Sequence, residues 1–514
     1  MRKYVKIYCW QAISIVFNFA AVFVVTPYIS ANPDLYGIYS IVIAAYLFIS
    51  YADFGFLSAG MKYAAESYAQ KNIKNEIEVI GFSGMVFLVF ASVYALGVFI
   101  ISYNPSLLVR GINNVDELMI ARKLLILLAF SVPILVFQRI IQIIYGVRLQ
   151  DYKFQRVLIV SNIIKLLSVF LFFGNGKYLI VEYFFFSQLC MLIAVLTGFL
   201  MIHVSLDYDI VLLFKSFKFS KKLFKKTRKL AFTTIFLTLC WILYYELDTF
   251  AIAKIFGAKQ VAIYAIGLTI ITYFRSLFGV IFTPFVARFN HFVGLGDTLG
   301  LQQFFIKVMV IFLPVTVFPV IAVFLTTQNF IFTWVGEVYT SSVAVAQFLV
   351  LCYIFSFITY PSGILIMANE RVKALYFTSA LQPVVFWSGI LITYRFLGLQ
   401  SFAYFKFLAF FLETIVYTII ILNFLNIKIQ TLFKKIMLPA LIPLILMILS
   451  LLLVRPYLPL TIGKINMLYY FLSIGIIVLM GVVCYYFTSK IFKEYVNKLG
   501  VEYLSRRSFA VPKI

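Results

Sequence analysis

The 514-residue sequence predicts an all-α polytopic membrane protein of about fourteen transmembrane helices, and three observations carry that reading. Apolar residues make up 63% of the chain and charged residues 12%, with a mean hydropathy of +1.03. An average soluble domain is about half apolar and about a quarter charged. The apolar residues come in continuous runs of roughly 20, the length of one helical bilayer crossing, rather than in the alternation of a barrel strand. The basic residues that give a net charge of +24 sit in short segments between those runs. The charge therefore reads as membrane topology and not as nucleic-acid binding.

The chain opens MRKYVK and stays apolar to about Ile29. That run is too long for a signal-peptide core and lacks a small-residue cleavage site, so it reads as an uncleaved first span. Further spans start near residues 36, 80, 121, 155, 179, 233, 261, 304, 341, 375, 402, 436 and 466. With both termini cytoplasmic, the 43 Lys and Arg divide into about 30 inside, about 9 outside and about 4 within spans, the bias of the positive-inside rule. Cys9, Cys190, Cys240, Cys352 and Cys484 all fall within spans and lack metal-ligand spacing, so neither a disulfide framework nor a metal site is expected.

The segment 203–230 carries eight basic residues. It reads as a topogenic linker lying on anionic headgroups at about 1 kcal/mol per basic residue. The linker divides twelve core spans into two sets of six: an N-terminal set over 1–203, the linker over 204–232 and a C-terminal set over 233–424. Two extra helices and a basic cytoplasmic tail occupy 425–514. The halves echo each other: "NPDLYGIYSIV" (32–42) follows span one and "GAKQVAIYAIG" (257–267) follows span seven, with Tyr39 and Tyr264 in matching places. Both sets begin inside, so the repeat is parallel.

The predicted spans contain Asp53, Glu182, Glu246, Asp248 and Glu413 together with Arg139, Lys165, Arg275 and Lys406. At roughly 2.5 to 3.5 kcal/mol each on insertion scales, turning all of these to lipid would cost about 20 to 30 kcal/mol. That exceeds the stability of a typical fold. Most therefore face the bundle interior, in a wet cavity or paired with one another. Glu246 on span seven and Arg275 on the antiparallel span eight differ in depth by roughly 6 Å, within reach of an Arg side chain. Asp248, at i+2, points to another face. One of the two carboxylates is then expected to pair with Arg275, and the other to take water, a tyrosine such as Tyr244, or a proton.

In span twelve, Lys406, Phe410, Glu413 and Tyr417 fall at i, i+4, i+7 and i+11, one continuous stripe. Gln138, Arg139 and Gln142 make a polar patch in span four, at a depth where Arg139 can meet Asp53. Lys165, beside Asn162, sits near the middle of span five, and Glu182 lies close enough to the outer interface to be solvated. Two readings follow. The charges form structural ion pairs that fix helix register, or they line a cationic pathway for an anionic substrate, with acids that bind coupling protons or sodium. Pro133, Pro284, Pro314, Pro319, Pro361, Pro383 and Pro443 offer kinks where such helices can bend.

The segment "YGIYSIVIAAYLFISYADFGF" (36–56), the following "MKYAAESYAQKN" (61–72) and "ELDTFAIAKIFGAKQVAIYAIG" (246–267) after a basic linker resemble Wzx-type polysaccharide flippases. These belong to the multidrug/oligosaccharidyl-lipid/polysaccharide exporter superfamily, and the resemblance covers essentially the whole chain. It implies two six-helix lobes around a central cavity that opens alternately inward and outward. The implied substrate is an undecaprenyl-pyrophosphate-linked oligosaccharide, moved from the cytoplasmic to the outer leaflet of a bacterial inner membrane for O-antigen, capsule or exopolysaccharide assembly. The implied partners are that lipid-linked substrate, membrane lipids, a coupling H+ or Na+, and other polysaccharide assembly proteins; no cofactor is implied. Spans thirteen and fourteen resemble an extra pair that forms a groove for the lipid tail.

A pyrophosphate crossing about 30 Å of hydrocarbon needs fixed positive charge, which Arg139, Lys165, Arg275 and Lys406 supply in this reading. Glu246, Asp248 and Glu413 are the matching candidates for ion coupling, and Asp53 for a structural polar role. Two alternatives stand beside it. Multidrug or cation efflux by the same fold calls for a lumen dominated by acids, whereas the four bases here nearly balance the five acids. A polytopic polysaccharide polymerase needs an aqueous loop with catalytic groups. The longest outward loop, about 103–119, offers only Arg110, Asp116 and Glu117, and His203 and His291 fall on the cytoplasmic side without a partner nucleophile. No catalytic residue is expected.

Overall fold

Short polar residues at the ends of the apolar runs start the helices. Asn32 Oδ1 accepts from the backbone N–H groups of Asp34 and Leu35, with Pro33 in the first helical position. Asn72, Asn114, Ser220 and Asp297 cap four further helices in the same way. Each satisfies a donor that the first turn leaves without an intrahelical partner. The computed structural model describes residues 2–112, 114–369 and 372–498. The end of the predicted basic tail and the Cys9 side chain lie outside the described residues. Among those described, 86% are helical and there is no strand.

In chain order the helices are α1 (Arg2–Ile29), α2 (Pro33–Ile49), α3 (Phe56–Ala69), α4 (Ile73–Ser102), α5 (Val115–Val147), α6 (Asp151–Phe173) and α7 (Ile180–Leu206). Then come α8 (Ile210–Lys215), α9 (Lys221–Tyr245), α10 (Leu247–Phe256), α11 (Ala258–Phe282), α12 (Phe285–Leu295), α13 (Thr298–Leu325) and α14 (Thr327–Trp334). The chain continues as α15 (Ser342–Leu351), α16 (Ser356–Ala368), α17 (Val372–Leu397), α18 (Gln400–Leu425), α19 (Ile429–Leu432), α20 (Leu438–Val454) and α21 (Lys464–Thr488). A 3-10 turn stands between the third and fourth long stretches of each half, at Pro105–Leu107 and at Glu337–Tyr339. The order of elements thus repeats along the chain.

Among the described residues eleven helices are long and apolar enough to cross a membrane, or twelve if α15 and α16, bent by 48°, make one span. The first expected span falls on α1, a helix of 28 residues, and the second on a shorter apolar helix, Pro33–Ile49. The cause in α2 is local. The turn at 50–55 places Phe54 at φ 45° and Gly55 at φ 76°, ending the helix before about 20 apolar residues are reached. Pro133, Pro314, Pro319, Pro361, Pro383 and Pro443 lie inside helices, and Pro284 lies in the break between α11 and α12.

The chain divides into two compact units, residues 1–265 and 266–514. In the first, α4 packs along α5, α1 along α6, and α7 against both α5 and α6. Glycines allow the closest approaches: a β-carbon on Gly37 would run into the carbonyl oxygen of Ala258, and one on Gly55 into the Thr234 hydroxyl. The predicted linker is structured. Ser216 packs against Gly81 of α4, and Phe214 and Phe217 of the linker nest against Phe137 of α5. In the second unit α17 packs along α18, α20 along α21, and α13 against both α16 and α21.

Candidate functional site

The acids of the first unit stand at a helix break. Span seven is α9 followed by α10, and Glu246 is the residue between them, at φ −116° and ψ −26°. It is 7% exposed, and its Oε1 accepts a hydrogen bond of 3.0 Å from the Tyr51 hydroxyl. That hydroxyl in turn accepts one of 2.9 Å from the Trp241 indole N–H. Tyr51 lies in the turn that ends α2, so the two interrupted stretches, α2–α3 and α9–α10, meet at their interruptions. Asp248 is 0% exposed in the first turn of α10. Its Oδ1 accepts from the Thr249 N–H at 2.7 Å, and its Oδ2 from the Tyr264 hydroxyl at 2.6 Å. Tyr51 and Tyr264 thus each satisfy one of these carboxylates; Tyr244 packs edge-on against Tyr245.

The two bases expected in the spans of this unit, Arg139 and Lys165, form no ion pair among the described residues. Arg139 is half-buried, and its Nη1 donates to Gln142 Oε1, one turn on, at 3.5 Å. Among the described residues the expected pair between Asp53 and Arg139 does not form. Asp53 lies in the turn before α3, and its Oδ2 accepts from the Leu57 N–H at 3.1 Å, which spends the carboxylate as a helix cap. Lys165 is half-buried on α6 with no hydrogen-bond or ion-pair partner for its ammonium group among the described residues. One turn before it, Asn162 Nδ2 donates to Asn18 Oδ1 on α1 at 2.8 Å. Glu182 is exposed in the first turn of α7.

In the second unit the stripe expected on span twelve is a buried face of α18: Lys406, Phe410, Glu413 and Tyr417 are all buried. Glu413 Oε2 accepts from Gln382 Nε2 of α17 at 2.8 Å, and Tyr417 also donates to this carboxylate. The Tyr417 hydroxyl accepts from Thr378 Oγ1 at 3.5 Å, extending the ladder along α17. Lys406 is fully buried, its ammonium 5.3 Å from the centroid of the Phe386 ring. Arg275 is half-buried on α11, where its backbone carbonyl accepts from the Tyr360 hydroxyl at 3.2 Å.

The arrangement separates the signs. Asp53, Glu246, Asp248 and Glu413 accept from backbone N–H groups, tyrosine hydroxyls or an amide, all of them neutral donors. Lys165 therefore has no carboxylate partner among the described residues, and Arg139 has no direct one, although Asp53 lies close enough to feel its charge. Among the described residues no group of three or more His, Cys, Asp or Glu is placed to hold a metal ion.

The sequence reading missed a buried ion pair. Arg148 Nη1 and Nη2 meet Glu76 Oε1 and Oε2 at 2.6 Å and 2.9 Å, the bidentate geometry of guanidinium and carboxylate. The guanidinium also lies 4.8 Å from the Tyr68 ring centroid and 5.0 Å from that of Tyr208. This knot ties the ends of α3, α4, α5 and the turn after α7. Burial pushes the Tyr208 hydroxyl well up from its usual range, and the Glu76 carboxylate adds to the shift. The loop after α4 also has a structural task. The Arg110 N–H donates to the Ala253 carbonyl at 3.0 Å and its Nη1 to that of Ile255 at 3.4 Å, closing the last turn of α10.

No known protein family matches the sequence, and no curated protein matches it significantly. Solved structures do share its architecture. An inward-closed structure of the lipid II flippase MurJ is similar at 14% identity and TM-score 0.67, over 93% of this chain and 98% of that one. An inward-facing multidrug resistance MATE family transporter of the MOP superfamily is similar at 12% identity and TM-score 0.64, over 80% of this chain and 95% of that one. A MOP superfamily transporter from Pyrococcus furiosus, described as having a binding pocket of reversed polarity, is similar at 13% identity and TM-score 0.59, over 83% and 96%. The protein is a multi-pass membrane protein with the fold of the MOP-superfamily transporters.

Proposed function

We propose that this protein is a flippase that moves an undecaprenyl-pyrophosphate-linked oligosaccharide from the cytoplasmic to the outer leaflet of a bacterial inner membrane, coupled to H+ or Na+. In this reading residues 1–203 and 233–424 are the two lobes that alternate around a central cavity. The observation that carries it is the separation of signs. Arg139 and Lys165 stand half-buried in spans without a direct carboxylate partner among the described residues, because the acids nearby accept from hydroxyls, amides and backbone N–H groups. Fixed cations kept free at such depth suit a phosphorylated headgroup, and they repel a cationic drug. Arg275 is half-buried on α11, and Lys406 is fully buried and contributes after α17 and α18 separate.

Glu246 and Glu413 are the coupling candidates the geometry favours, since each carboxylate is held by side chains from another helix. Asp248 is likewise held from another helix, by Tyr264 of α11, but both its oxygens already accept hydrogen bonds, which leaves less of it for an ion. The deciding experiment deletes the protein in its native host. Lipid-linked repeat units are expected to accumulate facing the cytoplasm. Unpolymerised units gathering outside would mark a polymerase, and unchanged glycolipid with raised drug sensitivity would mark efflux.

A further inference from the structure

Lys62 of α3 and Lys226 of α9 approach the same ring, that of Tyr63, with their ammonium groups 5.7 Å and 4.6 Å from its centroid. Both lysines are exposed, and among the described residues neither is in an ion pair. A tyrosine ring attracts each cation, but it cannot remove the repulsion between them; an anion placed between them can. The exposed carboxylate of Glu66, one turn from Lys62, is in no ion pair and neutralises only one of these charges.

The two helices are fixed in register. Gly55 lies against Thr234 and Tyr63 beside Lys226, an antiparallel pairing, and the Phe56 ring also reaches Phe224, with the centroids 5.9 Å apart. Leu223, Thr227 and Ala231 are the buried stripe of α9, while Lys222, Lys226 and Lys229 form the exposed stripe beside it. The pair of cations is therefore a feature of rigid helices.

Its depth matches a headgroup layer. The uncharged stretch of α9 begins at Leu230, four residues after Lys226, or about 6 Å of helix. Headgroups extend roughly 5 to 7 Å beyond the hydrocarbon, so Lys226 stands at their level. Phe232 is 59% exposed on the same helix, apolar surface at the level where acyl chains meet headgroups.

We propose that Lys62, Tyr63 and Lys226 bind the phosphodiester headgroup of an anionic phospholipid, which pins α3 to α9. These are the limbs on one side of the two breaks joined by Tyr51 and Glu246, so the bound lipid steadies the arm from which each break bends.

The test uses the full chain in nanodiscs of phosphatidylcholine with and without phosphatidylglycerol, followed by hydrogen exchange of 56–69 and 221–233. Phosphatidylglycerol is expected to slow exchange there by up to about thirtyfold, the scale set by two lysines at an anionic surface. The slowing is lost in Lys62→Gln/Lys226→Gln and at about 1 M salt, where the screening length is about 3 Å. It survives in Lys62→Arg/Lys226→Arg and in the control Lys434→Gln/Lys435→Gln. Thermal unfolding in phosphatidylcholine alone identifies any variant that has not folded, and the single Gln variants then give the reading in place of the double. Equal exchange in the two lipids overturns the site. So does a full lipid effect in Lys62→Gln/Lys226→Gln, or an equal loss in the control, which marks diffuse surface charge.

Discussion

The first unit solves the problem of a buried carboxylate twice, in opposite ways. At the ends of α4 and α5, Glu76 meets Arg148 in a bidentate ion pair flanked by two tyrosine rings. At the break in span seven, Glu246 meets only the hydroxyl of Tyr51, while Arg139 and Lys165 remain without a direct carboxylate partner among the described residues. The knot neutralises both partners and leaves neither available to a ligand. The break satisfies the acid with a neutral group, so the bases keep their charge and the carboxylate can change state without stranding a cation. A membrane protein that needed only rigid spans has no reason to use the second solution, because a direct ion pair at the same depth would hide both charges.

The comparison breaks most visibly at the knot. Arg148→Ala leaves Glu76 buried and unpaired, and removal of one partner from such a pair costs about 3 to 5 kcal/mol. A large fall in the thermal unfolding midpoint is expected, with the remaining folded fraction unchanged in substrate binding. If Arg148→Ala unfolds like wild type, the knot is not the rigid member of the comparison.

Next in size is the ladder between α17 and α18. Gln382→Leu removes the amide that donates to Glu413, and a hydrogen bond to a charged group contributes about 1.5 to 3 kcal/mol. Tyr417 still donates to the same carboxylate, so the lower end of that range is expected in thermal unfolding. Tyr51→Phe at the break should cost less, about 0.5 to 1.5 kcal/mol, because an interrupted helix can readjust around Glu246 where a continuous one cannot. The same variant is expected to alter gradient dependence of transport in proteoliposomes, which Gln382→Leu shares only if Glu413 also carries the coupling ion. A larger stability loss for Tyr51→Phe than for Gln382→Leu would mean that the break is the stiffer of the two.

These features were unequally legible. The apolar runs announced the spans because composition alone decides whether a helix of 20 residues can stay in hydrocarbon. Caps such as Asn32 before Pro33 were legible too, since their chemistry is local. The partners of Glu246 were not: Tyr51 lies 195 residues away and reaches it only because α2 ends early, at a turn set by Phe54 and Gly55. Glu76 and Arg148 were passed over for a different reason. Each sits among polar neighbours at a span end, where a charge is normally solvated, and only the packing of four segments seals the pair from water. The span-twelve stripe came through intact because helical spacing places Lys406, Glu413 and Tyr417 on one face whatever packs against it.

The smallest effect on stability carries the sharpest test. Lys165 has no acid to strand and no hydrogen bond to lose among the described residues, so Lys165→Gln should leave unfolding within about 0.5 kcal/mol of wild type. Transport of a pyrophosphate-linked substrate should nevertheless fall steeply, and Lys165→Arg should retain much of it, because the charge and not the side-chain shape is what an anion requires. The same reasoning orders the outcomes against the knot: Arg148→Ala loses folding and keeps the chemistry of whatever remains folded, while Lys165→Gln keeps folding and loses the chemistry. Equal transport by Lys165→Gln and wild type in proteoliposomes would show that a cation left uncompensated in a span can be a passive feature of the fold, and the contrast between the two solutions would then say nothing about substrate.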